Sequence, residues 1–81
     1  MKAMINNVNI RGCEAKKNKK GNPYLLVRFE DETGTPCEMV DKDMRRQSCY
    51  KRNTEGSLTI DIDVGKYTTL RIVDFQQHME T

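Results

Sequence analysis

Apolar residues in this chain recur mostly at every second position, in short segments separated by turn residues. A period of two marks strands with one buried face, because successive side chains of an extended chain point to opposite sides. The clearest case is 57–64, SLTIDIDV, with Leu58, Ile60, Ile62 and Val64 on one face and Thr59, Asp61 and Asp63 on the other. Segment 24–30 directs Leu25, Val27 and Phe29 inward and Tyr24, Leu26 and Arg28 outward. Segment 2–10 sets Met4, Val8 and Ile10 on the inward face and Ile5, Asn7 and Asn9 opposite; Asn6 interrupts it, as a bulge or an edge position would. Residues 36–40 form a third strand, with Cys37 and Met39 one way and Glu38 and Val40 the other. Pro36 suits its first position, where no ladder N–H is needed. Residues 67–75 form the last strand, with Leu70 and Ile72 assigned to the core and Thr69, Arg71 and Val73 opposite.

The connections carry turn chemistry: Gly21-Asn22-Pro23, the loop 31–35 with Gly34, and Gly65-Lys66. Residues 11–20 are too polar for a core and are expected to run on as an exposed ribbon that hairpins through Gly21. Segment 42–56 is the one that periodicity does not resolve. It permits one or two helical turns capped by Asp43, yet Met44 and Ser48 make a poor apolar stripe. Residues 76–81 read as a frayed tail, so the domain is expected to span 1–75. Five strands, one short helix at most, between the third and fourth, and no βαβ alternation predict an all-β fold. A small five-stranded antiparallel OB-like barrel is the natural closure, since it hides edges that an open sheet would expose. An SH3-like barrel is the structural rival.

Composition changes this picture little. The 81 residues make one domain with a thin core, and closure or dimerisation would each compensate. The 14 basic residues against 12 acidic ones leave a net charge of only +2. Their distribution says more. Arg11, Lys16, Lys17, Lys19 and Lys20 stand within ten positions against Glu14 alone, and Lys42, Arg45, Arg46, Lys51 and Arg52 stand against Asp43. Segregated sign points to one positive face. The three cysteines, Cys13, Cys37 and Cys49, are odd in number and lack CxxC spacing, and the one histidine, His78, falls in the expected tail. No disulfide framework, metal site or cofactor is expected, and reduced thiols suit the cytoplasm. No apolar run approaches the ~18 residues of a membrane span. An enzyme is not expected: no base and orienting partner stand out, and Asp61 and Asp63 share a strand face without a third ligand.

The candidate chemistry lies in 11–30. Four lysines in a loop precede a strand whose outward face carries an aromatic ring, an aliphatic side chain and a guanidinium. Single-stranded nucleic acid needs cations for its phosphates and flat apolar rings for its unstacked bases. Lys16, Lys17, Lys19, Lys20, Arg11 and Arg28 would neutralise phosphates, and Tyr24, beside Leu26, would stack on a base. The blander reading of Tyr24 is a rim residue capping the core. Tyr50 and the second basic block leave two readings open each: packing or contact for the ring, a solvated face or a second phosphate path for the cations.

The run K-K-G-N-P-Y-L-L, followed some forty residues later by G-K-Y-T-T-L-R-I, resembles the gene V protein family, the single-stranded DNA-binding proteins of filamentous phages. The resemblance implies an OB-like barrel that dimerises through its late hairpin and coats single-stranded DNA cooperatively, without strict sequence preference. On it, Tyr24 matches the base-stacking tyrosine, Leu26 the aliphatic contact beside it, Lys19 a wing-tip cation, and Tyr67 the late-hairpin aromatic that approaches DNA held by the neighbouring subunit. The chain departs from the family where Glu32 and Cys37 replace two further aromatics and where Glu14 replaces a wing arginine. The function expected is therefore non-specific, cooperative binding of single-stranded DNA by a homodimer that protects replicating strands of a phage or mobile element. An RNA-binding translational regulator and a protein-interaction barrel of a mobile element are the alternatives.

Overall fold

The computed structural model describes residues 1–78. Its elements are β1 (Lys2–Lys17), β2 (Pro23–Glu30), β3 (Pro36–Asp41), a 3₁₀ helix (Met44–Cys49), β4 (Glu55–Val64) and β5 (Thr68–Gln77). Hydrogen bonds join the strands in the order β1-β2-β3-β5-β4 and back to β1, so the sheet closes on itself. The fold is the all-β, five-stranded, OB-like closure that the alternation predicts, with its short helix between β3 and β4. One pairing departs from the antiparallel pattern: β3 and β5 run parallel, through Val40 with Arg71 and Asp41 with Ile72. Period-two alternation carries no information about direction, so this pairing was not readable from it.

Strand β1 is long because it serves two neighbours, β4 through its first half and β2 through its second. Two bulges bend it. Between Ile5 and Val8, three steps of β1 oppose two steps of β4, and Asn7 takes a φ of 60°, a left-handed conformation that asparagine tolerates. The bulge reverses the phase. Ala3 and Ile5 pack on the core, and Met4, assigned inward by strict alternation, is exposed. The second bulge, at Arg11, keeps Ile10 and Cys13 both facing the interior. A third, in β5, sets Ile60 opposite Ile72 while Thr59 opposes Asp74. It brings Phe75 as well as Ile72 into the core.

The core comprises Val8, Ile10, Leu25, Val27, Phe29, Tyr50, Leu58, Ile60, Ile72 and Phe75. Gly56 is required by a close approach: a Cβ there would stand 2.4 Å from the carbonyl oxygen of Gln76. Val64 and Leu70, expected in the core, are instead exposed at 64% and 47%. The β4–β5 hairpin runs beyond the barrel, so its inward phase has nothing to pack on. Gln76 and Gln77 are not tail but β5, paired with Ser57 and Gly56. His78 follows, its N–H donating to the Glu55 carbonyl at 2.9 Å and its Nε2 lying 3.1 Å from Ser57 Oγ. The rest of the expected tail, 79–81, lies outside the described residues.

The 3₁₀ helix closes the bottom of the barrel. Asp43 caps it by accepting the Arg45 N–H at 3.0 Å, and the Arg45 guanidinium holds the Asp43 carboxyl down at about 2. Tyr50, left open in the sequence, is a core residue whose ring packs 5.3 Å from that of Phe75. Its hydroxyl donates to Asp41, a fully buried carboxylate at the end of β3. Asp41 also accepts Nε and Nη2 of Arg46, at 2.6 and 2.8 Å, and the backbone N–H of Asp43 at 2.9 Å. Arg46 is thus committed to the fold rather than to a solvated face or a phosphate path.

Candidate nucleic-acid interface

The antiparallel register of β1 and β2 continues into the basic segment, with Lys17 opposite Pro23 and Lys16 opposite Tyr24. The turn beyond is tied together by Asn18. Its side-chain oxygen accepts the backbone N–H groups of Lys20 and Asn22, both at 2.9 Å, and its carbonyl accepts that of Gly21 at 2.9 Å. Gly21 supplies the φ of 83° that the turn needs. This Asx-type turn forces residues 18–22 into a compact tip with Lys17, Lys19 and Lys20 exposed around it. No carboxylate of the described residues lies within ion-pair distance of those three lysines.

Tyr24 is half-buried on the outward face, not in the core. It lines a shallow hollow of about 410 Å³ with Asn18, Asn22, Pro23, Val40 and Lys42. Val40 lies opposite Leu26, so the aliphatic part of this face is broader than Leu26 alone. Lys42 continues the outward parity of Glu38 and Val40 past the end of β3. Extending that alternation by two residues would have found it. The ring of Tyr24 thus lies between Lys16 on one side and Lys42 on the other.

Other predicted cations are engaged with carboxylates. Arg28 Nη1 lies 2.8 Å from Glu14 Oε1, and its Nε lies 3.7 Å from Glu38. Lys16 Nζ reaches the other oxygen of Glu14 at 3.7 Å. The hydrogen bond from Arg28, with its charge and that of Lys16, holds the Glu14 carboxyl below its usual range, and Glu14 in turn raises the Arg28 guanidinium. Arg11 faces Glu30 at 3.4 Å and donates to Asn53 Oδ1 at 3.1 Å. In the second basic block, Arg45 is paired with Asp43.

Tyr67 does not join this group within the chain. It sits in the β4–β5 turn, 76% exposed, with the Lys66 ammonium 5.8 Å from its ring centre. Because β3 and β5 are parallel, Lys42 lies level with Val73, and Tyr67 stands on the far side of Arg71, about 20 Å of strand from the Lys42 end. The same hairpin exposes Val64 and Leu70. Among the described residues no three His, Cys, Asp or Glu side chains gather as metal ligands.

Comparison with protein-family models, with curated proteins and with solved structures finds no match.

Proposed function

We propose that this protein binds single-stranded DNA non-specifically, with the lysine-tipped β1–β2 hairpin and the outward face of β2 and β3 as the binding surface. The observation that carries the reading is the row Lys16, Tyr24, Lys42: an accessible aromatic ring flanked by cations on the face that small OB-type barrels use for oligonucleotides. Tyr24 stacks on a base while Leu26 and Val40 support its neighbour. Lys17, Lys19, Lys20 and Lys42 neutralise phosphates, and Lys16 does so as far as it leaves Glu14. Arg11 and Arg28 contribute only as far as they leave Glu30 and Glu14.

The hairpin of β4 and β5 supports a homodimer, as the gene V family resemblance implies. Ile62 and Leu70 are register partners, so Ile62, Val64 and Leu70 share one face; Ile62 packs on the core, and Val64 and Leu70 carry that face on into solvent. In the dimer Tyr67 would reach DNA held by the other subunit, and contacts along the strand would make binding cooperative. Such a protein coats replicating strands of a phage or mobile element in the cytoplasm.

Fluorescence titration with poly(dT), poly(rU) and duplex DNA at two salt concentrations tests the reading. Wild type is expected to bind poly(dT) with tyrosine quenching and a salt slope of about 0.7 per phosphate contacted. Tyr24→Ala is expected to lose about 1–3 kcal/mol of binding. Binding of Tyr24→Ala equal to wild type would remove the stacking role. Preference for a structured RNA would favour a translational regulator, and no binding at low salt would favour a protein-interaction barrel.

A further inference from the structure

Beside the hollow around Tyr24, the outward face of β1, β2 and β3 is electrically silent. Lys16 and Arg28 supply two positive charges, and Glu14 and Glu38 supply two negative ones within 3.7 Å of them. The register explains the arrangement. Glu14 stands opposite Leu26, one outward step from both Lys16 and Gly12, and Gly12 lies opposite Arg28. Arg28 and Glu14 are thus diagonal neighbours across the strand pair, within reach of long side chains. Glu38 approaches from the other flank, since it lies opposite Arg28 on β3.

We propose that Glu14 is an intramolecular phosphate mimic that limits the affinity of this face for a DNA strand. The inference rests on the single-stranded DNA reading above and adds a regulator of that site. A carboxylate offers the guanidinium the same kind of oxygen pair that a phosphate does, and it occupies the donors a phosphate would take. Glu14 also holds Lys16, the cation directly across from the stacking tyrosine. A strand arriving at Tyr24 must therefore displace Glu14 or do without both cations, and an undisplaced Glu14 repels the phosphates beside it. The strand is confined to the lysine tip and Lys42, and it is released more readily than the number of basic residues would suggest. The site is exposed, with Glu14 at 50% and Arg28 at 45%, so the exchange of carboxylate for phosphate needs no rearrangement of the barrel.

The test compares poly(dT) titrations of wild type, Glu14→Gln, Glu38→Gln and Glu55→Gln across a salt series, with melting temperatures to verify folding. Glu55 is exposed near the opposite end of β2, across β1 from Glu30. Its variant changes net charge by the same amount away from the face. Glu14→Gln is expected to tighten binding about two- to fivefold at low salt, the size of an exposed charge interaction. It should also steepen the salt slope by about 0.7 to 1.4, as one or two cations become available to phosphate. Glu38→Gln should give a smaller gain in the same direction, and Glu55→Gln little change. Binding by Glu14→Gln equal to or weaker than wild type would overturn the proposal while leaving the DNA-binding reading intact. An equal gain in Glu55→Gln would overturn it too, by tracing the effect to net charge. Failure of wild type and Glu14→Gln alike to bind would remove the DNA-binding reading itself, and this inference with it.

Discussion

Two carboxylate–guanidinium contacts of nearly the same length do different things in this molecule. Asp41 and Arg46 meet at 2.6 Å, Glu14 and Arg28 at 2.8 Å. The first carboxylate is fully buried and its arginine 21% exposed; the second pair is about half exposed on both sides. Around Asp41 every lone pair has a donor: the Tyr50 hydroxyl, two guanidinium N–H groups and the Asp43 amide. Around Glu14 water competes with each contact. A buried charge that loses its partner stays desolvated, whereas an exposed one re-hydrates. Contact length therefore says little about what a pair is for. The buried pair ties the helix to β3, and the exposed pair is the one that a ligand can exchange.

The largest break in that comparison is Asp41→Ala. It strands the Arg46 guanidinium and the Tyr50 hydroxyl at the barrel bottom, and removing one partner of a buried pair typically costs about 3–5 kcal/mol. In a domain this small that is a large share of the whole stability. Chemical denaturation should show the loss, and the β3–β5 contact should open first, because only two residue pairs hold it. A loss below about 1 kcal/mol would mean that Asp41 behaves like the surface pair, and the distinction would fail.

This contrast was half legible in the sequence. The strands were, because Leu25, Val27 and Phe29, or Leu58 and Ile60, alternate without interruption. The interruption at Asn6 marked the first bulge, though not its effect on phase, and the bulges at Arg11 and in β5 were not legible. An extra residue reverses the phase locally, which turned Met4 outward and brought Phe75 inward. The projection of the β4–β5 hairpin was not legible either, since Val64 and Leu70 keep a core-like phase with no core beneath them. Asp41 did leave a trace. It shares the inward parity of Cys37 and Met39, and a charge at such a position signals a buried partner. Its partners, five and nine residues on, within and just past a helix of weak periodicity, could not be named. At the candidate site, alternation set Tyr24 and Leu26 outward correctly. Which cations are engaged and which are not depends on cross-strand register, and that required the ladder.

Tyr50→Phe sharpens the comparison at intermediate size. It removes one donor from Asp41 and leaves ring packing on Phe75 intact, so a loss of about 1–3 kcal/mol is expected. It also separates the pair by pH. Burial, followed by the hydrogen bond to Asp41, raises the Tyr50 hydroxyl well above the ordinary value near 10. The folded state therefore prefers the protonated ring. The stability this supplies is fully present below about pH 10, where the unfolded tyrosine is also protonated, and is lost as pH rises above it. Thermal unfolding between pH 8 and pH 11 should show wild type falling more steeply than Tyr50→Phe. Parallel curves would show that the buried hydroxyl is not linked to folding.

The smallest expected effect is the counterpart on the surface. Glu14→Gln deletes the charge that both Arg28 and Lys16 contact, yet each of these side chains can return to water. Its melting temperature at neutral pH should match wild type within error. Its acid sensitivity should be slightly reduced. The Glu14 carboxyl sits below its usual range in the folded protein, so the little stability it supplies is present above the unfolded carboxylate range and fades as pH falls through it. The pairing of a silent melting curve with a changed DNA titration is what separates a ligand-exchangeable contact from a structural one. If Glu14→Gln instead melted as far below wild type as Tyr50→Phe, the surface network would be holding β1 to β2. Exposure would then no longer predict which of the two contacts the fold needs.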